Sequence, residues 1–256
     1  MIELDGVGVP GRLDGVSLLA QRGELLVLVG PNGAGKSSLL DVLAGDLTPA
    51  RGRVRMLGRA LAGYSRAELA QHRAVLPQES APAFAFTVRE ICALGHLPHR
   101  RGSAAPSAHI AAFQLQHLLD VPFDRLSGGE RQRAQIVRVL TQVDDVADAL
   151  VLLDEPTNQL DLRHQQTLIA VLRARAAAGA VVIAAVHDLN FALALADRIV
   201  LLRDGRIVAD AAPDTALTAA TIADVFGVDV EFVSTRAGRL LHVLGASPVA
   251  SRPPWL

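Results

Sequence analysis

The chain has 256 residues, half of them apolar, with a formal net charge of −1 and a single cysteine. That length and apolar share suffice to bury a substantial core in one large domain, or in one with a smaller lobe, so a folded globular chain is expected. Near-neutral charge without a long basic stripe leaves no electrostatic footprint for nucleic acid. One cysteine excludes an internal disulfide framework, and no apolar run reaches the roughly 18 residues of a spanning helix. The longest apolar stretch, Ala176 to Val186, fits a helix end followed by a strand. The start Met1-Ile2-Glu3-Leu4-Asp5 lacks the basic and apolar segments of a secretory signal, so a cytosolic chain is expected.

In chain order, the apolar run Leu25 to Val29 reads as a strand. It leads into Gly30-Pro31-Asn32-Gly33-Ala34-Gly35-Lys36-Ser37, and the helical run Ser38 to Ala44 follows. This is the G-x-x-x-x-G-K-[ST] spacing in its strand-loop-helix context. Glycines let backbone N–H groups turn inward around phosphates, and the helix N-terminus adds its partial positive charge. Lys36 reaches the terminal phosphates and the Ser37 hydroxyl ligates Mg²⁺. Lys36 is the only lysine in a chain otherwise rich in Arg, which indicates that Arg would not fit there. Nucleotide binding follows.

Ser65 with Glu68, and Thr87 with Glu90, have capping-box spacing and mark two helix starts. Between them Ala74 to Leu76 is a second strand, followed by Pro77 and Gln78. From about Pro82 to Leu140 the strand signal vanishes and the chain reads as helical, with a polar break at Arg100 to Ser107 and Cys92 as a small core residue. Leu126-Ser127-Gly128-Gly129-Glu130 precedes the helical stretch Arg131 to Leu140. Ser127 and Glu130 form another capping box, while Ser127, Gly128 and Gly129 at a helix N-terminus offer a second anion-binding surface. The acidic stretch Asp144 to Asp148 reads as a solvated loop.

Ala149 to Leu153 is a buried-strand run that delivers Asp154 and Glu155 to the carboxyl end of a central strand, where α/β sheets place ligands. There Asp154 can hold Mg²⁺ and Glu155 can polarise an attacking water as general base. Val181 to Val186 is a further strand, ending at His187. Ile199 to Leu202 enters the tight turn Asp204-Gly205, an antiparallel edge. A short helix, Thr221 to Phe226, and strand-like pieces Val230 to Val233 and Leu240 to Leu244 follow. The alternation predicts an α/β fold with a mostly parallel sheet. Residues 1–81 and 141–245 form its nucleotide-binding core, 82–140 a smaller all-helical lobe, and 246–256 a tail.

Gly30 to Ser37, Gln78, Leu126 to Glu130, Leu150 to Glu155, Asn158-Gln159-Leu160-Asp161 and His187 occur in the order and at the spacing of ABC ATPases, and the chain resembles that family over residues 1 to about 233. The resemblance implies the ABC ATPase fold on a P-loop NTPase core, with ATP and Mg²⁺ as cofactors. It implies a head-to-tail homodimer in which Ser127, Gly128, Gly129 and Glu130 of one chain cap the ATP held by Gly30 through Ser38 of the other. It further implies that Ser37, Gln78 and Asp154 surround the metal, and that Gln78 links core and lobe. Glu155 would act as base, His187 would contact the γ-phosphate, and Asp161 would connect the two sites.

The runs Ala74 to Val88 and Leu160-Asp161-Leu162-Arg163-His164-Gln165 resemble haem-importer ATPase subunits, whose near cousins serve ferric siderophores and cobalamin. That resemblance implies two membrane permease subunits as partners and, indirectly, a periplasmic substrate-binding protein. It places the chain peripherally at the cytoplasmic face of the inner membrane. Two readings from other classes remain: a soluble ABC ATPase, which would normally carry a second cassette or a long insertion, and a P-loop kinase or GTPase, which would explain Lys36 and Asp154 but leave Leu126 to Glu130 unused. Three features depart from the family or stay open. Gly6 to Leu13 contains no aromatic to stack on adenine, which leaves Arg12 as a planar substitute or an ordinary surface residue. Leu119 to Arg125 is short, which predicts a trimmed lobe. Phe84 and Phe86 either line a groove for a membrane-subunit helix or pack in the core.

Overall fold

The computed structural model describes residues 1–78, 85–99, 107–236 and 238–247. The first part holds β1 (Ile2–Val9), β2 (Leu13–Ala20), β3 (Leu25–Val29), α1 (Lys36–Ala44), β4 (Arg51–Met56), β5 (Arg59–Ala60), α2 (Arg66–His72) and β6 (Arg73–Leu76). A helical stretch follows, whose described residues hold α3 (Val88–Ala93), α4 (Ser107–Ala112), α5 (Gly128–Gln142) and short 3₁₀ turns. Then come β7 (Leu150–Asp154), α6 (Leu162–Ala177), β8 (Val181–Ala185), α7 (Leu189–Leu195), β9 (Arg198–Arg203) and β10 (Arg206–Ala211). The last elements are α8 (Pro213–Ala216), α9 (Ala219–Phe226) and the hairpin of β11 (Val228–Thr235) and β12 (Gly238–Ala246). Among the described residues no helix is long and apolar enough to cross a membrane.

The main sheet has the order β10-β9-β3-β8-β7-β6. β9, β3, β8, β7 and β6 run parallel, while β10 returns antiparallel along the edge. Asp204 and Gly205 make that return with φ of 49° and 74°, the left-handed pair that a two-residue hairpin requires. β3 is buried at every position because both faces of the sheet are covered. Leu25, Val27 and Val29 pack among Ile136, Leu153, Leu168 and Leu195, whereas Leu26 and Leu28 pack among Ile2, Val16, Leu39 and Leu43. Each such side chain contributes about 1.5–3 kcal/mol on burial, which anchors the strand carrying the glycine-rich loop.

One of those faces is covered by a second, antiparallel sheet, β2-β1-β4-β5, which the sequence pattern does not announce. Register shifts between Leu4 and Val7 and between Asp5 and Gly8 break the period-two alternation along β1. The readable signal is in β4, where buried Val54 and Met56 alternate with exposed Arg53 and Arg55.

All three expected capping boxes, at Ser65, Thr87 and Ser127, are closed. The short segment after Leu118 ties down the start of α3, where Val88 and Arg89 donate their amides to the carbonyls of Val121 (3.1 Å) and Leu119 (2.9 Å). Cys92 is fully buried, and Phe86 packs partly buried against the same core. Asp144 and Asp145 are exposed in a turn. Phe84, residues 100–106 and the tail beyond Ser247 lie outside the described residues.

Candidate nucleotide site

Four neighbouring strands, β3, β8, β7 and β6, deliver their carboxyl ends to one edge of the main sheet. The glycine-rich loop follows β3, Gln78 follows β6, Asp154 ends β7, and His187 lies just beyond β8. The loop wraps tightly at two points. A Cβ on Gly30 would sit 2.3 Å from the Leu202 carbonyl oxygen, and one on Gly35, at φ 101°, would sit 2.8 Å from that of Arg12. Lys36 opens α1 and is only 6% exposed. Its Nζ donates to the carbonyl oxygens of Gly30 (2.6 Å) and Pro31 (3.1 Å). Burial lowers its pKa below that of an ordinary lysine, opposed by the nearby carboxylates of Glu155 and Asp154.

Asp154 is 8% exposed, and its buried Oδ1 has no hydrogen-bond partner among the described residues. Burial raises its carboxyl pKa, opposed first by a hydrogen bond with the Ser37 side chain. An orphaned buried carboxylate oxygen beside a hydroxyl fits a hard divalent cation, because oxygen donors suit Mg²⁺ and the orphan would gain the partner it lacks. Glu155 follows in the left-handed region, at φ 49°, with its N–H donating to the Ala185 carbonyl oxygen at 2.9 Å. Such a conformation costs a non-glycine residue about 1–3 kcal/mol and persists only when its surroundings hold it. Here the hold is visible: Asn158 Nδ2 donates to Glu155 Oε2 at 2.5 Å, and His187 Nε2 meets Glu155 Oε1.

Lys36, Ser37, Ser38, Gln78, Glu155 and His187 line one cleft of about 570 Å³, together with Arg12 and the loop residues Asn32, Gly33, Ala34 and Gly35. An adjoining hollow of about 670 Å³ shares Gly11, Arg12 and Gly33, is walled by Pro10 and Arg51, and has no aromatic ring among its described lining residues. Arg12 therefore stands where cleft and hollow meet.

Ser127, Gly129 and Glu130 lie elsewhere, in a second cleft of about 260 Å³ with Gln159, Leu160 and Asp161. Among the described residues the two clefts have no lining residue in common. Ser127 is held by Glu130, whose Oε2 accepts from the Ser127 amide at 2.8 Å and hydroxyl at 2.7 Å. The adjacent glycines are tightly covered: a Cβ on Gly129 would lie 2.7 Å from the Gln159 carbonyl oxygen, and one on Gly128 would overlap the Gln159 side chain. Sequence reasoning gives no individual role to Asn158 or Gln159. Asn158 is findable, because it stands three residues after Glu155 across a single turn.

A phosphate-binding loop at the carboxyl edge of a parallel sheet, a buried acidic strand end beside it, and a separate Ser-Gly-Gly helix start define an ATP-binding cassette. The profile of the ABC transporter family matches residues 13–158, and the chain belongs to that family. It is an ATPase that drives transport. A relative in Gloeobacter violaceus named hemin import ATP-binding protein HmuV is 45% identical over 241 residues, covering 89% of this chain and 88% of its own. A protein of the same name in Streptomyces coelicolor is 44% identical over 243 residues, covering 92% and 85%. Among solved structures, an ATP-binding subunit of an ABC transporter superposes with a TM-score of 0.75 at 25% identity, over 84% of this chain and 91% of its own.

Proposed function

We propose that this chain hydrolyses ATP as a homodimer on the cytoplasmic face of a membrane and energises haem uptake through two permease subunits, with a periplasmic binding protein delivering the substrate. The observation that carries the dimer is the separation of the two clefts. The Ser127 surface of a chain shares no described lining residue with its own Lys36 cleft, which supports its capping nucleotide bound by another chain. Support for haem is the shared name of relatives at 45% and 44% identity.

In this reading Lys36 leaves the carbonyls of Gly30 and Pro31 for the terminal phosphates. Gly30 through Ser38 supply backbone N–H groups, and Ser127, Gly128, Gly129 and Glu130 arrive from the second chain. Ser37, Asp154 and Gln78 hold Mg²⁺, which when bound offsets phosphate charge. Glu155, fixed by Asn158 and His187, takes a proton from the attacking water, while His187 also contacts the γ-phosphate. Catalysis is then chiefly positioning and charge stabilisation. Asp161 links the two sites, and residues 82–140 act as a lobe between the permease and the core of 1–81 and 141–245.

The test is capture of the Glu155→Gln variant with MgATP from its native membranes, with co-purifying proteins identified by mass spectrometry and haem read from its visible spectrum. A polytopic permease with a haem-binding partner is the expected result. A permease for ferric siderophores or cobalamin would overturn haem alone, and recovery of no membrane protein would overturn the importer reading.

A further inference from the structure

We infer that His164 is a positioning residue: together with Arg133 it locks the Asp161 loop of the core to the helix that begins at Ser127, so that the loop and the Ser127 turn keep a fixed relation. The inference rests on the ATP-driven dimer proposed above.

Asp161 is the N-cap of α6. Its Oδ1 accepts from the His164 amide at 2.8 Å and contacts His164 Nδ1 at 2.8 Å. The His164 ring is buried, and its Nε2 lies 3.4 Å from Arg133 Nη1, on α5. A guanidinium only donates, so Nε2 is the acceptor and the ring proton sits on Nδ1, where it donates to Asp161. One placement of the ring hydrogen thus serves both contacts. The two hydrogens of the same Arg133 nitrogen are shared with the carbonyl oxygens of Phe113 (2.7 Å) and Gln114 (3.3 Å), just after α4.

Three further contacts brace the same unit. With the Gln114 amide oxygen turned towards it, Arg163 donates to that oxygen at 3.1 and 2.9 Å. Gln132 Nε2 donates to the Pro156 carbonyl oxygen at 3.1 Å. The Gln159 backbone rests against Gly129 so closely that no Cβ fits between them. Residues 156–164 are therefore held at several points to α5 and to the end of α4. The Asp161 side chain stays 66% exposed, held from behind by its buried histidine. A shift of the Ser127 turn on capping a phosphate is thereby carried to the residue proposed to face the other site. This supplies the physical linkage between two elements that coupling of the sites requires.

The two ring nitrogens can be tested separately, by measuring kcat, KM and the dissociation constant for MgATP in purified wild type, His164→Asn, His164→Gln and His164→Ala. Asn keeps a donor at the Nδ1 position for Asp161 and cannot reach Arg133; Gln reaches Arg133 and gives up Asp161. Each variant is expected to lose about tenfold or more in kcat, as misplacement of reacting groups does, with MgATP affinity within about twofold of wild type. Wild-type kcat in either conservative variant would overturn the relay, because one bond would then suffice. A loss that merely follows weakened MgATP binding or a lowered melting temperature would also overturn it. Wild-type protein without any hydrolysis would contradict the ATPase reading itself, a distinct outcome in the same assay.

Discussion

The Lys36 ammonium donates to the Gly30 carbonyl oxygen at 2.6 Å, so the glycine-rich loop closes on its own cation. The space around it takes a compact point charge, and a planar guanidinium needs a wider, forked set of acceptors. Lys36→Arg is therefore expected to weaken MgATP binding by at least about tenfold although the charge is kept, and Lys36→Ala to abolish turnover as well. Calorimetric titration with MgATP decides this. Equal affinity for wild type and Lys36→Arg would mean that charge alone suffices.

Next to Ser37, Asp154 carries a buried oxygen that has no partner among the described residues. Asp154→Asn is expected to cost at least about a hundredfold in Mg²⁺-dependent hydrolysis, while the nucleotide-free variant melts no lower than wild type because a buried acid has been neutralised. Chelation of Mg²⁺ in the wild type is expected to stop turnover. Magnesium titrations of the ATPase rate, with melting curves alongside, test both halves; hydrolysis by Asp154→Asn at the wild-type rate would remove Asp154 from the metal site.

Burial pushes the Cys92 thiol up from an ordinary value of 9.0 to about 12. The fold thus favours the neutral form. The resulting stabilisation is fully present below the unfolded pKa and is lost as pH rises through the folded one. The difference in melting temperature between wild type and Cys92→Ala is expected to change in favour of the variant as pH rises above about 9, where the unfolded thiol ionises. At about that pH a maleimide is expected to label Cys92 only after denaturant is added. Rapid labelling of the native chain would contradict the burial of Cys92.

Elements set by local pattern are legible in the sequence. β3, β7 and β8 are continuous apolar runs, the loop from Gly30 to Ser37 has its own spacing, and the three capping boxes are short-range. The sheet containing β1 and β2 is not legible, because bulges shift the alternation that would betray it. The contacts that finish the site are equally hidden. His164 and Arg133 are 31 residues apart, and no local pattern tells which face of α5 will meet the first turn of α6. The cleft that joins Arg12 to Lys36 likewise depends on how β1 and β2 fold over the loop.

Light scattering on the Glu155→Gln variant decides whether a working site is assembled from two chains. A monomer is expected without nucleotide and a dimer with MgATP. Adding Ser127→Arg is expected to return the protein to a monomer with MgATP still bound. A mass that ignores nucleotide, or a dimer that survives Ser127→Arg, would contradict assembly of the site across two chains.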